Sequence, residues 1–165
     1  MDMRARFSEC RTWRYSLTRG LEGGDGTVVA FVGLNPSTAD EAHDDPTVRR
    51  CIGFAREWGF ARVEVVNVYA FRARDPRELW RADDPVGPDN DRILAQVLDR
   101  AELVIAAWGM HAPAERLDEL APVLDRRPLH ALGVTKNGAP RHPLYLRADV
   151  RPSPYVSALS ATRSA

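Results

Sequence analysis

The chain has 165 residues, 44% hydrophobic and 28% charged, a globular balance at the length of a single domain that excludes a disordered or fibrous protein. Its 23 basic and 23 acidic residues cancel, which speaks against an indiscriminate nucleic-acid binder, and two cysteines, Cys10 and Cys51, are too few for a disulfide framework or a four-thiolate cluster. The longest apolar runs, Val28 to Leu34 and Leu103 to Met110, fall far short of the ~20 residues a membrane helix needs, and no apolar run follows the charged start, so a cytoplasmic protein without a secretory signal is expected.

Thr12 to Thr18 alternates apolar and polar residues like a half-buried strand, and Gly20 to Gly26 supplies a turn, so an N-terminal hairpin is expected. Thr27 to Leu34 is a continuous β-branched run suited to a buried central strand. Asp45-Pro46-Thr47 then reads as an N-cap with proline in the first turn, and Val48, Cys51, Ile52 and Ala55 recur at helical spacing until Gly59. Cys51 thus falls on an apolar stripe, a core position rather than the electropositive setting of a nucleophilic thiol. Val63 to Tyr69 is a second buried strand, followed by a long Arg- and Pro-containing loop from Ala70 to Pro88. Asp89-Asn90-Asp91 opens a helix with Ile93, Leu94, Val97 and Leu98 inward, Leu103 to Trp108 is a third strand, Pro113 to Leu124 an amphipathic helix and Pro128 to Leu132 a fourth strand.

Strands alternating with helices imply βα units and a mostly parallel sheet covered on both faces. The expectation is one α/β domain over residues 1–165, with a core of about 12–150 and a basic tail at 151–165. Residues 1–20 carry five Arg against Asp2 and Glu9, and residues 136–165 carry Lys136 and four Arg against Asp149. If the two ends meet on one face, that face can contact phosphates although the whole chain is neutral.

In such a sheet ligands bind beyond the carboxyl ends of the strands, which directs attention to Asn35 to Thr47, Asn67 to Pro76, Gly109 to Ala112 and Gly133 to His142. Gly23-Gly24-Asp25-Gly26 precedes a strand instead of following one, so it is not a dinucleotide loop, and Lys136 is the only lysine, which excludes a P-loop. His43 with Asp40, Asp44 and Asp45 has donor atoms for a metal, but the same aspartates suit a solvated loop that caps the next helix; no metal or other cofactor is expected. Arg49 and Arg50 oppose the macrodipole in the first turn of their helix, which invites either a phosphate contact or pairing with those aspartates. At the strand ends stand the amides of Asn35 and Asn67 and the imidazole of His142, with Gly33 allowing close backbone approach to a ligand.

Four short patterns, taken together, resemble the uracil-DNA glycosylase superfamily: Gly33-Leu34-Asn35-Pro36, the strand-ending Asn67-Val68 before a basic loop, Val104 to Gly109, and Pro140-Arg141-His142-Pro143. Leu34 to Asp40, Asp44 to Cys51 and Asp84 to Pro88 are similar, over about residues 12–150, to a bacterial and phage family known as a domain of unknown function. The superfamily implies a three-layer α/β/α sandwich around a short parallel sheet and hydrolytic removal of a base from deoxyribose. By resemblance Asn35 positions the attacking water, His142 donates to a carbonyl oxygen of the departing base, and Asn67 reads the base edge. Leu34, Pro36, Ser37, Tyr69, Arg141 and Tyr145 fall in or beside these motifs as substrate contacts, and Asp40, Asp44 and Asp45 as auxiliaries. Phe54, Trp58, Tyr69 and Phe71 are candidate stacking rings, and Leu146 occupies the place of a residue that wedges into a duplex. Ser37 replaces the usual Gly or Tyr, and Leu144-Tyr145 replaces a Ser-Pro that normally pinches phosphate, so the base stays open between a uracil-like and a modified one. The implied function is a DNA glycosylase-like hydrolase acting as a monomer on DNA or another nucleobase-containing ligand; an enzyme of free nucleosides or nucleotides and a non-catalytic nucleic-acid-binding domain remain open beside it.

Overall fold

The structure, a computed structural model, describes residues 2–156, so residues 157–165 of the expected basic tail lie outside the described residues. The chain runs β1 (Met3–Phe7), β2 (Arg14–Gly20), β3 (Val28–Gly33), α1 (Pro46–Glu57), β4 (Arg62–Asn67), α2 (Pro76–Leu79), α3 (Asn90–Arg100), β5 (Leu103–Ala106), α4 (Ala114–Leu124), β6 (Leu129–Ala131) and β7 (Ser153–Pro154). Among the described residues these strands form one sheet in the order β1-β2-β4-β3-β5-β6-β7. Only β4, β3, β5 and β6 run parallel; β1, β2 and β7 add three antiparallel pairings at the edges. The fold is therefore mixed α/β, and the mostly parallel sheet expected from the βα pattern is corrected, because β1 and β7 lie outside the repeating units that carried that signal.

The N-terminal hairpin is also displaced by one strand. Thr12 to Thr18 does not pair with Thr27 to Leu34; β2 turns back on β1 and lies antiparallel to β4. Its burial is nearly complete, including Arg14, Ser16, Thr18 and Arg19, since a strand second from the edge is covered on both faces. Of the two basic ends, the described strands β1 and β7 close opposite edges of the sheet. Residues 153–154 belong to the sheet and Tyr155 is buried against Trp108, so the folded unit extends past the expected boundary at 150.

Two apolar clusters form on opposite sides of the sheet because successive strand residues point to opposite faces. Ala30, Val32, Val66, Val104 and Ala106 pack with Ile93, Leu94, Val97 and Leu98 of α3 and Leu120 of α4. Val29, Phe31, Val63, Val65 and Ile105 pack with Val48, Cys51, Ile52, Phe54 and Ala55 of α1. Helix α1 starts as its sequence predicts: the Asp45 side chain accepts from the Val48 N–H at 2.9 Å, and Pro46 needs no donor there. No described helix is long and apolar enough to cross a membrane.

One irregularity has consequences for the site. In the β1–β2 pairing Arg6 faces Ser16 while Phe7 faces Arg14, so Tyr15 is passed over as in a bulge. Strict alternation from Leu17 would put Tyr15 on the α1 side. The extra residue instead sends Tyr15 into the α3 cluster and leaves Arg14 lining the same space as Phe31 and Val65.

Leu94 is fully buried, so Leu94→Ala is expected to lower the unfolding free energy by about 2–5 kcal/mol, read from urea denaturation.

Candidate functional site

Because β4, β3, β5 and β6 are parallel, their carboxyl ends lie along one rim, and the loops that follow them surround a cavity of about 850 Å³. Asn35, Asn67 and His142 all line it, as do Gly33, Leu34, Pro36, Ser37, Asp45, Arg141 and Tyr145. The deep wall is apolar, with Phe31, Val48, Cys51, Val65 and Ala107, while Arg74, Met110, His111 and Tyr145 are exposed around the mouth.

Parallel pairing sets Gly33 directly beside Asn67. A Cβ on Gly33 would stand 2.7 Å from Asn67 Oδ1, so a residue without a side chain is required there. Behind Asn67 the backbone is held firmly: the buried Asn90 donates Nδ2 to the Asn67 carbonyl at 3.0 Å, and Arg116 donates Nε and Nη2 to the Val68 carbonyl. Asn67 is 3% exposed, and its Nδ2 has no hydrogen-bond partner among the described residues. A buried donor left unmatched by its own chain costs free energy that a bound acceptor would recover.

Asn35 is oriented by the opposite arrangement. Its Nδ2 donates to the carbonyls of Pro36 at 3.0 Å and Ala73 at 2.8 Å, which leaves Oδ1 as the acceptor of this side chain. The two loops that meet here are joined further by the Ala73 N–H on the Pro36 carbonyl. His142 follows the loop after β6, whose course is fixed by Gly109 N–H to Pro140 O and Arg141 N–H to Gly133 O. Its Nδ1 accepts the Leu144 N–H at 3.2 Å, so the neutral ring carries its proton on Nε2. Desolvation pushes the His142 pKa below the ordinary imidazole value, partly offset by Asp45, and the neutral form dominates near pH 7.

Several expected contacts are placed elsewhere. Tyr69 is a core residue packed edge-on against Trp80 beneath Arg116. Phe54 and Trp58 stack on each other in the α1 cluster, and Leu146, partly buried, packs against that cluster as well as bordering the cavity. Arg49 is exposed and donates to the Asp44 carbonyl, whereas Arg50 donates to the Pro143 carbonyl at 3.4 Å over the Phe54 ring; neither lines the cavity. Asp40 accepts the Ala42 and His43 N–H groups and His43 Nδ1, Asp44 pairs with Arg19 at 2.8 Å, and Asp45 caps α1. These aspartates are thus occupied in building the loop before α1. Cys51 borders the cavity, but burial pushes its thiol well up, in keeping with a core role.

The cavity also contains residues that periodicity did not single out. Phe31 and Trp108 are its aromatic walls, and Arg14, Arg74 and His111 add polar groups. Arg14 carried one available signal, a cation flanked by Trp13 and Tyr15 in a strand, but its face depends on the bulge.

A family model described as "Protein of unknown function (DUF1643)" matches residues 14–144. No curated protein and no solved structure matches the chain.

Gly33→Ala is expected to displace the Asn67 amide and to lower the unfolding free energy by about 1–3 kcal/mol in urea denaturation, the cost of an overpacked site.

Proposed function

We propose that this chain, which belongs to the DUF1643 family, hydrolyses the N-glycosidic bond between a uracil-like or modified base and deoxyribose, as its resemblance to the uracil-DNA glycosylase superfamily implies. The observation that carries the reading is the buried, unpartnered Nδ2 of Asn67 in the same cavity as Asn35 and His142. Helices on both faces of a sheet whose central strands are parallel accord with the three-layer arrangement of that superfamily.

Cleavage of this bond sends its electron pair out with the base, so negative charge develops on the ring carbonyls while the sugar carbon becomes electron-poor. Two donors suit that charge: Asn67 Nδ2 and the Nε2–H of neutral His142. Asn35, with its N–H groups already committed, offers Oδ1 to a water, whose oxygen bonds to the sugar carbon and whose proton passes to solvent. An amide cannot take that proton, so its part is orientation. Phe31 and Trp108 supply the apolar and aromatic walls against which an unstacked base is held.

The test is release of free base from oligonucleotides and nucleotides carrying uracil, hydroxymethyluracil and other modified bases. Absence of release from every substrate sinks the hydrolytic reading. His142→Ala is expected to lower the rate about 10²-fold with little change in folding, the usual cost of one preorganised donor. Activity should hold as the pH falls to 6.5 and decline only below it, since a lowered pKa keeps His142 neutral past that point; an acid limb centred above 6.5 would contradict the assignment.

A further inference from the structure

Three arginines are buried among the described residues, and they differ in what the chain provides for them. Arg19 donates to the Asp44 carboxylate and to the carbonyls of Arg4, Thr18, Asp40 and His43. Arg116 reaches both Asp91 oxygens and the Val68 carbonyl. The Arg14 side chain, at 2% exposure for the residue, makes a single hydrogen bond among the described residues, from Nη1 to the Ala39 carbonyl at 3.1 Å, and its Nε is buried with no partner among them. No carboxylate forms an ion pair with it among the described residues, and burial lowers its pKa to about 10 despite the field of Asp45. A desolvated cation provided with one acceptor calls for an anion.

Arg14 is also the buried arginine that lines the cavity. Arg74 and Arg141 stand with it around the same space, and Asp45 is the sole carboxylate among the lining residues. Both Asp45 oxygens already accept backbone N–H groups, from Val48 and from Ala39. A chain of zero net charge thus concentrates positive charge around this cavity.

Size points the same way. Small-molecule pockets run from roughly 300 to 1,000 Å³. At about 850 Å³ this one lies near the upper end, with room for far more than one planar heterocycle. The phosphate of an internal phosphodiester continues into chain on both sides, which a wall of buried residues does not admit. A terminal phosphate can end there.

We infer that Arg14 seats a terminal phosphate of the ligand, so that the cavity receives a whole nucleoside monophosphate. The inference rests on the nucleobase reading for the other end of the ligand alone; the anion seat stands on Arg14 and its surroundings.

Isothermal titration of the full chain with deoxyuridine, thymidine, their 5′-monophosphates, inorganic phosphate and a short single-stranded oligonucleotide tests it. Each monophosphate is expected to bind about 10- to 100-fold more tightly than its nucleoside, the worth of hydrogen bonds to a charged group. That preference should collapse in Arg14→Gln and survive in part in Arg14→Lys, which keeps the charge but not the fork. Equal affinities of nucleoside and monophosphate in the unaltered protein overturn the inference, and this comparison decides even if Arg14→Gln does not fold. A preference retained in folded Arg14→Gln, an oligonucleotide that outbinds the monophosphates, or no binding of any phosphate-bearing ligand overturns it equally. Monophosphate binding without base release sustains the phosphate seat while removing the hydrolytic reading, and binding of inorganic phosphate alone, lost in Arg14→Gln, sustains the seat while removing the nucleobase.

Discussion

The pairing of Gly33 with Asn67 across β3 and β4 is the constraint from which the site follows. Parallel strands in register end together, so one side-chain amide and the loop after the neighbouring strand open onto the same space. The absent side chain at Gly33 lets Asn67 Oδ1 approach within 2.7 Å of the position a Cβ would take. Asn90 and Arg116 then fix the Asn67–Val68 backbone from the α3 and α4 side, where both are buried. The main chain that carries the amide is therefore fixed from behind, while Asn67 itself lines the cavity.

The loop that leads into α1 depends on buried guanidinium groups more than on apolar packing. The segment from Ala39 to Asp45 has little apolar content, yet its carbonyls and carboxylates converge on Arg19 and, at Ala39, on Arg14. Polar loops can be held in a defined course when their acceptors share a cation, since each charge-assisted bond is stronger than a neutral one. Asp45 links this loop to α1 by capping it, so the loop and the helix are one unit. Arg19 is supplied by this loop with a carboxylate and several carbonyls, and Arg14 with one carbonyl alone.

Much of the fold was legible in the sequence where periodicity and punctuation agreed. The four parallel strands, the capped helix at Asp45 and the inward stripe of α3 lie where Val-rich runs, Asp-Pro and the spacing of Ile93, Leu94, Val97 and Leu98 put them. β1 and β7 carried no comparable signal, because edge strands are short and are stabilised by pairing rather than by a long apolar run. Polar residues at strand ends marked Asn35, Asn67 and His142, since such positions gather donors and acceptors in any parallel sheet. Tyr69 and Arg50 were also candidates in sequence, but Tyr69 turns into the core and Arg50 lies over the Phe54 ring.

By itself the sequence determined the alternation of strands and helices and the chemical types available at the strand ends, because both follow from local pattern. Only tertiary structure decided which of those groups share a cavity and which are already satisfied. A bulge at Tyr15 moved Arg14 to the cavity face, and the count of hydrogen bonds on three buried arginines separated one from the other two. Neither fact is local: a side chain's face depends on the register of a neighbouring strand, and its unmet hydrogen-bonding capacity depends on every segment folded against it.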